Sequence, residues 1–217
     1  MPDRYVLAFD TSAAHCAAAL LCGDRPVEAR REEMAKGQAE RLMPLLAETL
    51  AAAGIGWRDL SGIGVGIGPG NFTGIRIAVA AARGLALALG IPAAGIGTLE
   101  ALAEGLPGPL VALEDARREE LYAQGFGTGP AEPRMLPLAE LAQTLPAGMA
   151  VTGGAAGLLL AVRPDLRLLP PALPLAEAMA RIAARRIGQG AVPRPAPLYL
   201  RMADAAPAAD PPPRILP

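Results

Sequence analysis

The chain has 217 residues, of which 52% are hydrophobic and 3% aromatic, and its formal net charge is −1. This length fits one large domain or two small ones, with a core built mainly from Ala, Leu, Ile and Val. The balanced charge, without any basic block, argues against a nucleic-acid groove.

Three features predict the compartment. Charged residues precede a short apolar run at the N-terminus, so we expect no secretory signal peptide. The longest uncharged run, 141–162, contains Pro146 and four glycines, which argues against a membrane span. Cys16 and Cys22 lie on one predicted strand, roughly 20 Å apart, which is too far for a disulfide. We therefore expect a cytoplasmic protein with two reduced thiols.

The N-terminal part of the sequence predicts three antiparallel strands followed by a helix. The strands are Tyr5–Thr11, His15–Cys22 and Pro26–Glu33. The first is mostly apolar and is expected to be buried on both faces, whereas the third is charged and is typical of an edge strand. The helix spans about Glu40–Ala53, with Pro44 either in its first turn or at a kink.

The stretch Gly62–Gly90 organises the chain. A strand at 62–67 leads through a Gly-Pro-Gly turn into a long helix, with Asn71 as the predicted N-cap and Gly90 as the predicted end. This helix is apolar almost all round, so it should be buried or covered by a partner. One face contains Phe72, Ile75, Val79, Ala82, Ala86 and Leu89, and a second face of mostly small side chains contains Gly74, Ala78, Ala81, Leu85 and Ala88.

The glycine-rich turn before this helix has two interpretations. Free N–H groups at a helix N-terminus can bind phosphate, but a P-loop needs a lysine here and Lys36 is the only lysine in the chain. A dinucleotide loop needs a third glycine where this chain has Thr73. We favour a tight strand-to-helix connection, with ligand binding as the alternative.

The second half begins after Gly105–Pro109, where glycine and proline cluster and predict a domain boundary. We therefore divide the chain into residues 1–105, 106–202 and a tail, 203–217, that is expected to be disordered. The predicted elements are strands at 93–96, 110–113, 121–126, 149–152 and 166–169, and helices at 99–104, capped by Thr98, and at 137–145, 158–162 and 173–187. The last helix is expected to close the second subdomain.

Few residues in the sequence suggest catalysis. Asp10, Thr11 and Ser12 follow the first strand, where a carboxylate could hold a metal-bound water or merely cap a turn. His15 is the only histidine, so a zinc site is improbable, and a packed histidine is favoured over a Ser-His-Asp triad. The charged stretch 115–120 is interpreted as a solvated hairpin.

Several motifs occur in the order found in one known family. They are Val6-Leu-Ala-Phe-Asp-Thr-Ser12, Gly66-Ile-Gly-Pro-Gly-Asn-Phe-Thr-Gly-Ile-Arg76, Ala82-Arg-Gly-Leu-Ala86, Thr98-Leu-Glu-Ala-Leu-Ala103, Asp115-Ala-Arg-Arg118 and Tyr199-Leu-Arg201. With these motifs the chain resembles the TsaB family, also called YeaZ, over most of its length up to Arg201.

The resemblance implies an α/β fold of the actin/Hsp70/sugar-kinase (ASKHA) type, with two similar subdomains of mixed sheets and flanking helices. It implies a non-catalytic paralogue of TsaD that serves in forming N6-threonylcarbamoyladenosine at position 37 of transfer RNAs that decode ANN codons. The implied partners are a TsaD-like paralogue, a TsaE-like ATPase in the ternary complex, and a second copy when the chain is alone. Contact with tRNA would occur only through the complex, and no cofactor, metal or membrane is implied.

Two sets of residues follow from this resemblance. The partner surface is expected on the first two helices, at Leu42, Leu46, Leu50, Ile75, Val79, Ala82 and Ala86. A vestigial nucleotide site would use Asp10, Thr11 and Ser12 together with Gly153 and Gly154. The alternative function is a nucleotide-dependent phosphotransferase or hydrolase on the same fold, although the first loop lacks the glycine usual in that superfamily.

Overall fold

A computed structural model describes residues 4–127, 132–190 and 192–201, and within them the chain forms two five-stranded sheets. The first sheet contains β1 (Tyr5–Asp10), β2 (His15–Cys22), β3 (Arg25–Glu33), β4 (Leu60–Gly66) and β5 (Ala93–Ile96). The second contains β6 (Leu110–Arg117), β7 (Glu120–Phe126), β8 (Arg134–Pro137), β9 (Ala150–Thr152) and β10 (Arg167–Leu168). The helices are α1 (Gln38–Ala52), α2 (Phe72–Leu89), α3 (Thr98–Ala103), α4 (Leu138–Thr144), α5 (Ala156–Val162) and α6 (Leu175–Gly188).

Both sheets have the same topology. The strand orders are β3-β2-β1-β4-β5 and β10-β9-β6-β7-β8, so each sheet begins as a three-stranded antiparallel meander and then adds two parallel strands beside its first strand. The chain passes from one sheet to the other between β5 and β6, and in the described residues neither sheet continues through 105–109. The predicted α/β fold with two similar subdomains is confirmed.

Local signals define α2 closely. The Asn71 side chain accepts a hydrogen bond of 2.9 Å from the Gly74 N–H, and Gly90 ends the helix in the left-handed region at φ 66°. Both caps were predicted. In contrast, Thr98 does not cap α3, because Gly97 precedes the helix and the buried Thr98 hydroxyl has no hydrogen-bond partner in the described part of the chain.

The first sheet is covered on both faces. Helices α1 and α2 pack on one face around Leu7, Phe9 and Ile63, and α6 packs on the other face through Met179 and Ile182. The predicted burial of β1 on both faces is therefore confirmed.

The prediction that α6 closes the second subdomain is wrong. This helix packs instead against β1, β2, β4 and β5 of the first sheet. Alternate residues of β4 are glycines, and a Cβ at Gly62 would lie 2.6 Å from Ile187 Cδ1, while one at Gly64 would lie 2.8 Å from Ala183 Cβ. Because glycine has no side chain, these positions leave the space that α6 fills. The hydrophobic periodicity of the sequence does not show a contact between segments so far apart.

Helix α3 lies between the two subdomains. It packs on β6 and β7 of the second sheet and on α6 of the first subdomain, with Leu99 and Ala103 in a cluster with Leu110 and Tyr122. Strand β8 was not predicted, and β6 is longer than expected. The predicted disordered tail, 203–217, lies outside the described residues.

Candidate functional site

The carboxylate of Asp10, at the end of β1, organises a buried polar cluster. Its Oδ2 atom accepts hydrogen bonds from the Ser12 N–H at 3.1 Å and the Ser12 hydroxyl at 2.9 Å. The Nε2 atom of His15 lies 2.7 Å from the same oxygen. All three side chains are at least 97% buried, with exposures of 0%, 3% and 3%. The sequence predicted Asp10 and Ser12 as site residues, and the structure adds His15 to them.

This cluster has the wrong order for a catalytic triad. In a triad the imidazole lies between the hydroxyl and the carboxylate, so that it can take the proton of the nucleophile. Here the Ser12 hydroxyl and the His15 imidazole each contact Asp10 directly. The prediction that His15 is a packed residue is confirmed.

The second oxygen of Asp10 is directed into the sheet. Asp10 Oδ1 is buried and has no hydrogen-bond partner within the described ranges. It occupies the space where Gly66 would carry a side chain, because a Cβ at that glycine would overlap this oxygen. Asp10 therefore faces β4 through one oxygen and its own loop through the other.

The turn before α2 is filled by the loop that follows β1. The Asn71 N–H donates to the Ser12 carbonyl at 2.6 Å, and the Thr11 hydroxyl donates to the Gly74 carbonyl at 2.7 Å. A Cβ at Gly70 would approach Ser12 Cβ to 3.0 Å, so the glycines allow two backbone segments to pack closely. These contacts favour the tight connection over a phosphate cradle.

The second predicted loop is also occupied. Gly153 follows β9 with φ 102°, and the Gly154 N–H donates to Glu114 Oε1 at 3.2 Å. Burial raises the pKa of the Glu114 carboxyl, the backbone hydrogen bonds from Gly154 and Asp115 lower it, and the charge of Asp10 adds a smaller upward contribution. A carboxylate in this position would repel a phosphate group. Glu114 was not predicted as a site residue, because nothing in the sequence indicates that residues 114 and 154 meet.

The environment of Cys16 disfavours the reactive thiolate form of its side chain. Cys16 and Cys22 are free thiols, as predicted, and burial raises the pKa of the Cys16 thiol to about 11. Within residues 4–127, 132–190 and 192–201, no group of three or more His, Cys, Asp and Glu side chains is arranged to hold a metal ion.

The residues predicted to form the partner surface lie largely in the core. Leu42, Leu46, Leu50, Ile75, Val79 and Ala82 have exposures of 0–3%, and Ala86 is half-buried. The prediction that the first six lie on an exposed surface is wrong. Both helices use their leucine and β-branched faces to cover the first sheet, and periodicity alone shows an apolar face without showing what covers it.

A different apolar face of α2 is exposed to solvent. Leu87 is 86% exposed, and Ala80, Gly84 and Ala88 are exposed beside it. On the neighbouring α1, Met43 is 40% exposed. We call these five residues the outer surface of α1 and α2.

Helix α2 is apolar enough to cross a membrane by length and composition, with 18 residues, a mean hydropathy of 1.5 and only 28% of its residues buried. A core helix of a water-soluble protein can pass the same test, and α2 packs on β4, β1 and β5. Packing on the sheet therefore explains the apolar residues on the inner face of α2. The apolar residues on its outer face need a different explanation.

Comparisons with known proteins agree with the fold. Residues 31–129 match the family described as TsaD: tRNA N6-adenosine threonylcarbamoyltransferase. No curated protein matches. Among solved structures, YeaZ from Pseudomonas aeruginosa has a TM-score of 0.76 and 29% identity, covering 91% of this chain and 100% of its own. An uncharacterised protein with similarity to peptidase YeaZ, from the same organism, has a TM-score of 0.78 at the same identity and coverage.

A more distant structure shares the fold alone. Component A of (R)-2-hydroxyglutaryl-CoA dehydratase from Acidaminococcus fermentans has a TM-score of 0.54 and 12% identity, covering 85% of this chain and 99% of its own. The repeated strand order and these neighbours define an α/β protein of the actin/Hsp70/sugar-kinase-like fold. Within that class, the chain is similar to the YeaZ (TsaB) structures over 91% of its length.

Proposed function

We propose that this chain is a non-catalytic partner of a TsaD-like paralogue in the cytoplasmic complex that forms N6-threonylcarbamoyladenosine on tRNA. The observation that carries the proposal is the outer surface of α1 and α2, where Leu87 is 86% exposed on a helix that already has a complete inner face. The similarity to YeaZ and to the TsaD family model suggests the reaction and the partner that we propose.

The absence of catalysis is supported by the contents of the two loops. The first is filled by Thr11 and Ser12, which bond to the start of α2, and the second is occupied by Glu114. The alternative function, a nucleotide-dependent phosphotransferase or hydrolase, needs two open loops that donate N–H groups to phosphates. ATP turnover by the purified chain, abolished by Asp10→Asn, would support this alternative and contradict our proposal.

The outer surface has the character of a docking site between helices. Small residues such as Ala80 and Gly84 allow another backbone to approach closely, and Leu87 and Met43 provide the larger apolar contacts. A patch on two neighbouring helices can pair with itself about a two-fold axis. We propose that a second copy occupies it when the chain is alone, and that a TsaD-like paralogue replaces that copy in the complex.

The other partners are proposed to bind the pair formed by this chain and the TsaD-like paralogue. A TsaE-like ATPase and the tRNA are proposed to contact the assembled complex, with the tRNA bound by the complex rather than by this chain alone. The near-neutral charge of the chain is consistent with that division of roles.

The docking surface can be tested with one substitution and a matched control. Leu87→Arg places a charge in the proposed interface, and Leu158→Arg places the same charge at a leucine of α5 that is 49% exposed. We expect Leu87→Arg to weaken binding of the TsaD-like paralogue by about 100-fold, as for a central interface residue, and to give a monomer by analytical ultracentrifugation. Leu158→Arg should bind as the parent does. Parent-like affinity of a folded Leu87→Arg variant in calorimetric titration would contradict the proposal.

A further inference from the structure

The C-terminal residues 195–201 cross from the first subdomain to the second, and we call them the strap. The strap begins on the first sheet. The Arg83 Nε–H on α2 donates to the Pro195 carbonyl at 2.7 Å, and the Leu198 N–H donates to the Ile67 carbonyl at 2.8 Å, just beyond β4. These bonds attach the strap along one side of α2.

The middle of the strap is fixed to the first turns of α2 by a cluster of two aromatic rings and an arginine. The ring centroids of Tyr199 and Phe72 lie 4.9 Å apart. The Arg76 guanidinium carbon lies 3.8 Å above the Phe72 ring, and the Arg76 Nε–H donates to the Tyr199 hydroxyl at 2.8 Å. Stacking, cation–π attraction and a hydrogen bond therefore act together at one point.

The end of the strap binds the second subdomain. Leu200 packs against the cluster formed by α3, β6 and β7. The Arg201 guanidinium donates to the Ala116 carbonyl at 2.6 Å and to Glu120 Oε2 at 2.5 Å. Both partners flank the turn of the β6–β7 hairpin.

That turn has an unfavourable backbone conformation. Arg117, Arg118 and Glu119 are three consecutive non-glycine residues in the left-handed region, with φ 66°, 53° and 61°. Non-glycine residues keep this conformation only where surrounding contacts hold them. One such contact is local: the Arg117 N–H donates to Asp115 Oδ1 at 2.7 Å. Contacts also reach the turn from outside: the Leu138 N–H of α4 donates to the Glu119 carbonyl at 2.9 Å, and Arg201 bonds to Ala116 and Glu120 on either side of the turn.

We propose that the strap couples the first turns of α2 to the β6–β7 hairpin, with Tyr199 as its attachment point. If the Tyr199 cluster is lost, the strap is no longer fixed to α2 and the bonds of Arg201 to the hairpin weaken. The β6–β7 turn then becomes more mobile, although Tyr199 makes no hydrogen bond to it. The coupling acts equally in the other direction, as any equilibrium linkage must. It does not depend on the proposed function, although a partner docked on α2 could use it to act on the second subdomain.

Hydrogen exchange of the full chain, followed by mass spectrometry, tests this coupling. Tyr199→Ala should speed exchange of hairpin amides 115–121 by about tenfold, the effect of losing an aromatic pair and its polar contact. Arg201→Ala should speed exchange of residues 72–76 in return. Tyr199→Phe keeps the ring and loses only the hydroxyl, so its effect on the hairpin should be smaller than that of alanine.

Two further variants, Arg117→Ala and Arg76→Gln, serve as controls for the exchange measurements. Arg117→Ala removes a side chain that is 86% exposed on the hairpin itself and should leave residues 72–76 unchanged. Arg76→Gln, at an exposed position of α2, disturbs the same cluster from the helix side. It serves as the test variant if Tyr199→Ala does not fold. Faster exchange confined to 72–76 and 198–200, with parent-like exchange of the hairpin in both cluster variants, would overturn the proposal. Binding of the TsaD-like paralogue is measured separately, so failure of one proposal does not obscure the other.

Discussion

The two subdomains share one strand order but differ in what covers each sheet. The first sheet carries α1 and α2, of 15 and 18 residues, on one face and the 14-residue α6 on the other. The second sheet carries α4 and α5, of seven residues each, on one face and the six-residue α3 on the other. The repeated unit is therefore the sheet with its meander, and the two subdomains differ in the helices added to it. The proposed docking surface lies on two of these helices.

The corresponding loops of the two subdomains also differ. The loop after β1 folds back on the turn before α2 through Ser12 and Asn71. The corresponding β6–β7 turn has a strained backbone and is held by Arg201 from the strap. The first subdomain thus stabilises its loop with its own residues, whereas the second receives a contact from the C-terminal segment.

The largest expected effect is in the core beneath α1. Leu46 is 0% exposed, so Leu46→Ala should lower the free energy of unfolding by about 3 kcal/mol, as for buried leucines in general. Leu158→Ala, at a half-exposed leucine of α5, should cost far less. Urea unfolding measures both. Equal, small costs would mean that α1 does not cover the first sheet with this face.

The contact between α6 and β4 should be nearly as sensitive. A Cβ at Gly64 would lie 2.8 Å from Ala183 Cβ and 2.9 Å from Ala8 Cβ, so Gly64→Val should destabilise the chain by about 2–3 kcal/mol through overpacking. Ala183→Gly removes the methyl group that a valine at position 64 would meet, so in a double-mutant cycle the two substitutions should cost less together than the sum of their separate costs. Additive costs would show that the two positions are not in contact.

The partly buried carboxylate of Glu114 in the second subdomain should give a smaller, pH-dependent effect. Because the pKa of Glu114 is raised above its unfolded value of 4.5 by burial, the folded chain holds this proton more tightly than the unfolded chain does. Its stabilising contribution is therefore present below pH 4.5 and is lost as the pH rises through the folded pKa. Glu114→Gln should raise the melting temperature at pH 7–8 and lose this advantage near pH 4. A variant less stable than the parent at pH 8 would contradict the assignment.

The smallest expected effect is on the outer surface itself. Gly84 is exposed within α2, and a Cβ there would meet no atom within 4 Å. Gly84→Ala should therefore stabilise the monomer by up to about 1 kcal/mol through helix propensity. The added methyl group should at the same time weaken docking, because it separates two closely packed helices. A gain in both stability and affinity would indicate that Gly84 lies outside the interface.

Local signals in the sequence predicted much of this fold. Strands β2 and β5 and the two caps of α2 agree with the structure because hydrophobic runs, glycine and asparagine act over a few residues. The sheet that α6 covers could not be predicted, since it depends on a row of glycines more than a hundred residues away. The same limit applies to Glu114, whose contact with Gly154 spans 40 residues.

The candidate docking residues show this limit most clearly. Periodicity found an apolar face on each of α1 and α2, and both faces proved to be the ones that cover the sheet. The face that remains open consists of small residues and Leu87. Small residues contribute little to a hydrophobic pattern, so that face is recognised only when the neighbours of the helix are known.

In the proposed complex, the TsaD-like partner binds the outer surface of α1 and α2. Hydrogen exchange of the chain, alone and with an excess of the TsaD-like paralogue, tests this proposal most directly. We expect slower exchange in α2, centred on residues 80–88, and on the exposed side of α1 near Met43. Protection confined to α5 and β10 in the second subdomain, with α2 exchanging as in the free chain, would contradict it.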